Sequence, residues 1–150
     1  MDAVALLSQM PTPERVRALE DEMLKLPQVD LSTAHVVHAG MCVRTIFIPA
    51  GTALTGALTN IDNLCIVSGD ISVTTDEGVK RLQGFNVIPA AAGFKRAGFA
   101  HADTWWSTVW KTEKTDILEI EDEMTSEAHL LQTRRTGISY EKPTLKLEEA

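Results

Sequence analysis

The chain has 150 residues, 44% of them hydrophobic and 23% charged, with a formal net charge of −7. That length supports one domain with a real hydrophobic core and leaves too little for two. The acidic balance argues against a nucleic-acid-binding surface, which needs dense basic charge to neutralise phosphates.

Residues 1–12 read as a short arm. The opening "MDAVALLSQMPTPE" lacks the basic region of a signal peptide, and no stretch approaches the roughly 18 apolar residues of a membrane span. Thr12-Pro13-Glu14 then offers an N-cap, a proline at the first helical position and an acid in the first turn. Val16, Leu19, Met23 and Leu26 follow at helical spacing, with Pro27 as the stop. This predicts an amphipathic helix within a helix-and-linker segment over 13–34. His35 and His38 come next, and in an extended segment they point to opposite sides, as ordinary surface or rim histidines.

Over 35–112 the texture changes. Apolar and β-branched runs alternate with Gly, Pro, Asn and Asp turns every 8–12 residues, through "CVRTIFI", "NLCIV", "ISVTT", "FNVI" and "WWSTVW". That rhythm predicts a mainly β fold, a small antiparallel β-barrel or jelly roll. "TDEGVKR" is a hairpin turn in which Gly78 suits a positive φ. Alternation puts Ile71 and Val73 on one face and Ser72 and Thr74 on the other, as in a half-exposed strand. The two cysteines, Cys42 and Cys65, lie in apolar strands and are expected to be buried and reduced.

Residues 113–135 return to helical spacing, with Asp116 and Glu119 as a capping pair and a stripe of Ile117, Ile120, Met124, Leu130 and Leu131 broken near Ser126. The basic pair Arg134-Arg135 reads as a solvated face. Residues 136–150, polar and containing Gly137 and Pro143, should form an extended tail that frays or docks on a partner.

The glycine frame of the β region carries a resemblance. Gly51 leads after five residues to Ala57, then to Thr59, Asn63 and Gly69; further on stand Gly84, Pro89, Gly93 and Arg96. This resembles the two conserved segments of the cupin superfamily of small β-barrels. In that family three histidines and a glutamate bind one divalent metal inside the barrel. The frame is off by one or two residues in places, and at the ligand positions stand Ala57, Thr59, Asn63 and Arg96. The runs "RTIFIPAGTALTG", "IVSGDISV", "PAAAGFKRAGFAHADTWWSTV" and the following "TDILEIE" are similar to small cupin-like proteins of tailed bacteriophages and prophages. Members of that group carry histidine where this chain has Thr59, Asn63 or Trp110. The resemblance therefore implies a barrel whose metal-ligand positions have been lost together, kept for its shape.

Three readings of function follow. In the first, a non-catalytic barrel binds no cofactor or metal and serves a bacteriophage as a virion structural or accessory protein. It would act through other phage structural proteins, as a homo-oligomer with helices or tail crossing between subunits, in the host cytoplasm or assembled into the virion. The second is a metal-dependent cupin enzyme on a small polar substrate, built around Asp62 and His101, with Asp103 two residues beyond the histidine. The third is a sugar- or nucleotide-binding module. Its ligand-binding candidates are Arg96, His101, Trp106 and Trp110, and Lys95-Arg96 could hold an anion or simply form ion pairs. Trp106 and Trp110 share a strand face, with Trp105 on the other, and core filling or a subunit contact is the plainer role for all three tryptophans. No Ser/His/Asp or Cys/His nucleophile arrangement, phosphate loop or dinucleotide fingerprint is visible in the sequence.

Overall fold

The computed structural model describes residues 13–75, 77–131 and 134. The expected arm over 1–12 and tail over 136–150 lie outside the described residues. Helix α1 (Pro13–Met23) is followed by seven strands: β1 (Thr33–His38), β2 (Met41–Ile48), β3 (Ala53–Thr55), β4 (Asn63–Thr75), β5 (Gly78–Ala90), β6 (Ala97–Ala100) and β7 (Thr104–Lys111). Helix α2 (Ile117–Met124) and a 3₁₀ turn (Ala128–Leu130) follow the sheet. No helix among the described residues is long and apolar enough to cross a membrane.

The strands form one antiparallel sheet in the order β1-β2-β7-β4-β6-β3, with β5 on the other side of β4. It curls into a half-barrel, so the mainly β antiparallel fold with flanking helices is what forms. Strand β4 is its axis. It pairs with β7 over Leu64–Ser68 and with β6 over Ile71–Val73, while β5 follows it over its whole length. The change of partner falls at Gly69, whose φ of 148° and lack of a side chain let the backbone turn the corner against β7. The concave face holds the core, in which Ile48, Cys65, Val67, Ile71, Val73 and Ala100 pack together.

Strand alternation gives the convex face an unusual composition. Reading across the register, one row runs Ala34, Thr45, Ser107, Ile66, Val87 and the next runs Val36, Val43, Val109, Leu64, Pro89. A third runs Phe47, Trp105, Ser68, Phe85. None of these residues is charged. Farther along β4 the same face is covered by α1, whose Val16 and Leu19 pack with Ala97, Val79 and Phe99.

That covering corrects one expectation. Ser72 and Thr74 are not on an exposed face; they are as buried as Ile71 and Val73. The two polar side chains are satisfied beneath the helix, Ser72 by His101 and Thr74 by the Ala97 amide. Helix α1 is also shorter than its apolar spacing implies. It ends at Met23, and Leu26 is left exposed in a tightened turn. The cause is Pro27, whose ring disfavours helical backbone at the residue before it.

The C-terminal helix expected over 113–135 is likewise brief. Asp116 caps it as read, accepting from the Glu119 amide at 3.2 Å. It stops at Met124 because Thr125 is extended, and Leu130 belongs to the 3₁₀ turn. The hairpin at Gly78 forms with φ 104°. A second tight turn, Ala39-Gly40, joins β1 to β2 with both residues at positive φ. Alanine at such a position carries no turn signal in sequence.

Candidate functional site

The concave face of the half-barrel encloses a cavity of about 130 Å³. Its walls come from inward residues of β2, β4 and β7 and from two loops, 56–59 and 93–96. Backbone hydrogen bonds clamp those loops together: Gly56 N–H to Arg96 O at 2.8 Å, Thr59 N–H to Phe94 O at 3.3 Å and Gly93 N–H to Thr59 O at 2.7 Å. Ala57, Thr59, Asn63 and Arg96, singled out as the altered metal-ligand positions, all line this one cavity.

What these four residues offer is a methyl group, a hydroxyl, an amide and a guanidinium. Asn63 has its side chain engaged, donating to Ile61 O at 3.1 Å and accepting from the Cys65 thiol at 3.5 Å. Arg96 lies over the Phe94 ring, 4.6 Å from its centroid, and donates to Thr74 O at 2.9 Å. Arg44 and Arg96 are the charged groups among the described lining residues. Transition-metal sites need converging imidazole, thiolate or carboxylate donors, and two nearby cations oppose a divalent ion. The residues present therefore do not fit the metal that the cupin resemblance implies. Among the described residues, no three of His, Cys, Asp and Glu gather in a way that could hold a metal ion. The thiol of Cys65 is a poor donor as well, since burial pushes its pKa up and Arg96 only partly offsets this.

The other candidates are dispersed. Trp106 lines the cavity, whereas Trp110 is core, packed with Cys42, Ile120 and Met124. Trp105 points to the convex face and stacks at a tilt on Phe47 with centroids 4.6 Å apart. His101 lies outside the lining: its Nε2 is 2.7 Å from Ser72 Oγ and its ring meets Phe99 edge-on at 5.2 Å. The Asp103 carboxylate does not orient it but accepts from the Ala50 amide at 2.9 Å. Asp62 accepts from the Ala92 amide at 2.8 Å, so it and His101 are each held by a different segment. Both cysteines are free and buried; burial pushes Cys42 up to about 11, far from nucleophilic at neutral pH.

Two charged clusters, both invisible to spacing arguments, do most to hold the site. Lys95 is fully buried, and its ammonium reaches Glu127 Oε1 at 2.9 Å, Glu20 Oε2 at 3.1 Å and Gly56 O at 2.8 Å. All three of its donors are thereby used. Glu127 also accepts from the Leu58 amide at 2.9 Å and from Arg17 Nε at 3.0 Å. Burial pushes the Glu127 carboxyl up, but the bonds from Lys95, the Leu58 amide and Arg17 outweigh it and bring the pKa down to about 2. The cluster ties α1, the 56–59 loop, the loop before β6 and the segment after α2 into one body. Lys95, considered from the sequence as an anion-holding residue or an ion-pair partner, is thus the latter.

The second cluster surrounds Glu121, which is completely buried. His35 Nε2 lies 3.6 Å from its carboxylate, Arg44 Nε 3.9 Å and Arg134 Nε 3.2 Å. His35 is accordingly not a surface or rim histidine. It points inward from β1 toward α2, while His38, three positions on, is exposed on the opposite face.

No protein-family model matches the chain, and no curated protein matches it. Solved structures with a similar course include a cupin superfamily protein from Desulfitobacterium hafniense, with 12% identity and a TM-score of 0.47 over 59% of this chain and 83% of that one. An RmlC-like cupin family protein from Methanocaldococcus jannaschii gives 13% identity and 0.45 over 55% and 81%. KdgF from a Halomonas species gives 14% identity and 0.48 over 63% and 93%.

Proposed function

We propose that this chain is a non-catalytic, cupin-like half-barrel that works through protein–protein contacts, as a structural or accessory component of a tailed-bacteriophage particle. One observation carries the non-catalytic part. The four positions at which the cupin pattern places its metal ligands face a single cavity and supply no imidazole or carboxylate to it. The buried groups around that cavity are spent on holding the fold: Lys95, Glu127 and Glu121 are tied into ion pairs that join separate segments. A general acid or base needs a reachable proton and a pKa near the working pH, and Glu127 at about 2 is far from that. The assignment to a phage particle rests on the similarity of the runs over 44–56, 66–73 and 89–109 to cupin-like phage proteins.

Mass spectrometry of particles purified from a phage or induced prophage that encodes this chain tests the assignment. Peptides of this chain should co-purify with the capsid and tail proteins through a density gradient. Their absence from particles, with the chain abundant in the infected-cell lysate, would remove the virion role.

A further inference from the structure

The convex face of the sheet over β1, β2, β7, the first half of β4 and the second half of β5 has no covering element among the described residues. Its fourteen positions, set out in the three cross-strand rows above, include no charged side chain. Val36, Leu64, Phe85 and Val87 are 60%, 46%, 71% and 54% exposed. Charge returns only at the margins, with Lys111 at one end and the Asp70–Arg81 pair at the other. An uncharged, mostly apolar patch with charge at its margins has the anatomy of a protein interface.

We propose that this face is covered by the same face of a second copy, forming a two-fold dimer in which two half-barrels stack as a sandwich. Three features favour a second copy over a different partner. The chain carries a net charge of −7, so two copies repel least where they meet through a surface that bears no charge, and this face is one. An isologous contact also requires a self-complementary relief. The Thr45–Ser107 pair, whose hydroxyls are 2.6 Å apart, forms a low trough in the middle of the face, while Phe85 stands proud at its edge.

Size is the third. Five strands about 4.8 Å apart, with outward residues about 6.8 Å apart along each, span roughly 24 by 20 Å. Side-chain relief raises the accessible area of such a patch toward the ~800 Å² per partner of a stable interface. Sheets packed this way align at about 30° with interdigitating side chains. The contact differs from a helix or tail exchange, because every residue in it belongs to the sheet.

Sedimentation equilibrium of the full-length chain from about 1 to 100 µM tests this, with Val87→Asp, Phe85→Asp and Leu118→Asp as variants. The wild type should show the mass of two chains. Val87→Asp and Phe85→Asp should each weaken dimerisation about 100-fold or more, since an unpaired carboxylate would be buried at the contact. Their circular dichroism and melting should match those of the wild-type monomer, because both side chains are already exposed in one copy. Leu118→Asp, on the exposed side of α2, should leave the dimer intact. A wild-type monomer at 100 µM overturns the proposal, and so does a dimer that survives both face substitutions or is broken by Leu118→Asp alone. The result is independent of the particle assignment, which stands or falls on the virion composition.

Discussion

Replacing Lys95 by methionine is expected to destabilise the fold by about 3–5 kcal/mol, the usual cost of removing one partner from a buried ion cluster. The ammonium is almost completely buried and holds Glu20, Glu127 and the Gly56 carbonyl at once. Without it, Glu127 keeps only Arg17 and the Leu58 amide. For a domain of this size the loss corresponds to a fall in Tm of roughly 10 °C. The variant also has a distinct pH dependence. The Glu127 pKa lies at about 2 against an ordinary 4.5, so its contribution to stability is fully present above 4.5 and is lost as the pH falls from there toward 2. In Lys95→Met the part of that contribution owed to the ammonium is already gone. The difference in urea midpoint between wild type and variant should therefore be constant from pH 7 to about 5 and narrow below it. A difference that stays constant down to pH 3 would show that the cluster is not coupled to Glu127.

The second large effect is expected at Gly69. A Cβ there would collide with Thr104 Oγ1 and lie 2.7 Å from Asp103 O, while the backbone φ of 148° is itself unfavourable for a side chain. Backbone strain of about 1–3 kcal/mol adds to an overpacking cost of similar size, so Gly69→Ala should lose roughly 2–6 kcal/mol. Gly84, its cross-strand partner, also has positive φ, at 76°, but a Cβ there meets nothing within 4 Å. Gly84→Ala should lose only about 1 kcal/mol, the backbone part alone. Chemical denaturation of the two variants side by side measures the difference. Equal losses would mean that β4 does not press against the 103–104 segment at its corner.

These two positions show why part of the molecule can be read from sequence and part cannot. Turn residues and strand alternation are local, so the β architecture, the Gly78 hairpin and the Asp116 cap follow from neighbouring residues. The glycine frame likewise placed Ala57, Thr59, Asn63 and Arg96 around one cavity, because a barrel fixes where strand ends and loops meet. Burial from a distant segment is not local. Ser72 and Thr74 look solvent-facing until α1, more than fifty residues earlier, is packed over them. His35 looks like a rim histidine until Glu121 arrives from α2. Glu127 sits in the unremarkable run "SEAHL" and Glu20 on the polar side of a helix, and only the tertiary fold brings them to Lys95. Distance hid the convex face too: its lack of charge emerges only when the strands are aligned in register, since each strand by itself shows ordinary alternation.

The cavity is expected to hold no catalytic metal, and elemental analysis of the untagged protein tests this most directly. Protein incubated with Fe, Mn, Ni or Zn and passed through gel filtration should retain less than ~0.1 metal ion per chain, because a guanidinium, an amide, a hydroxyl and a methyl group do not make a tight site. Retention of one ion per chain, abolished by substituting Asn63 or Thr59, would contradict it.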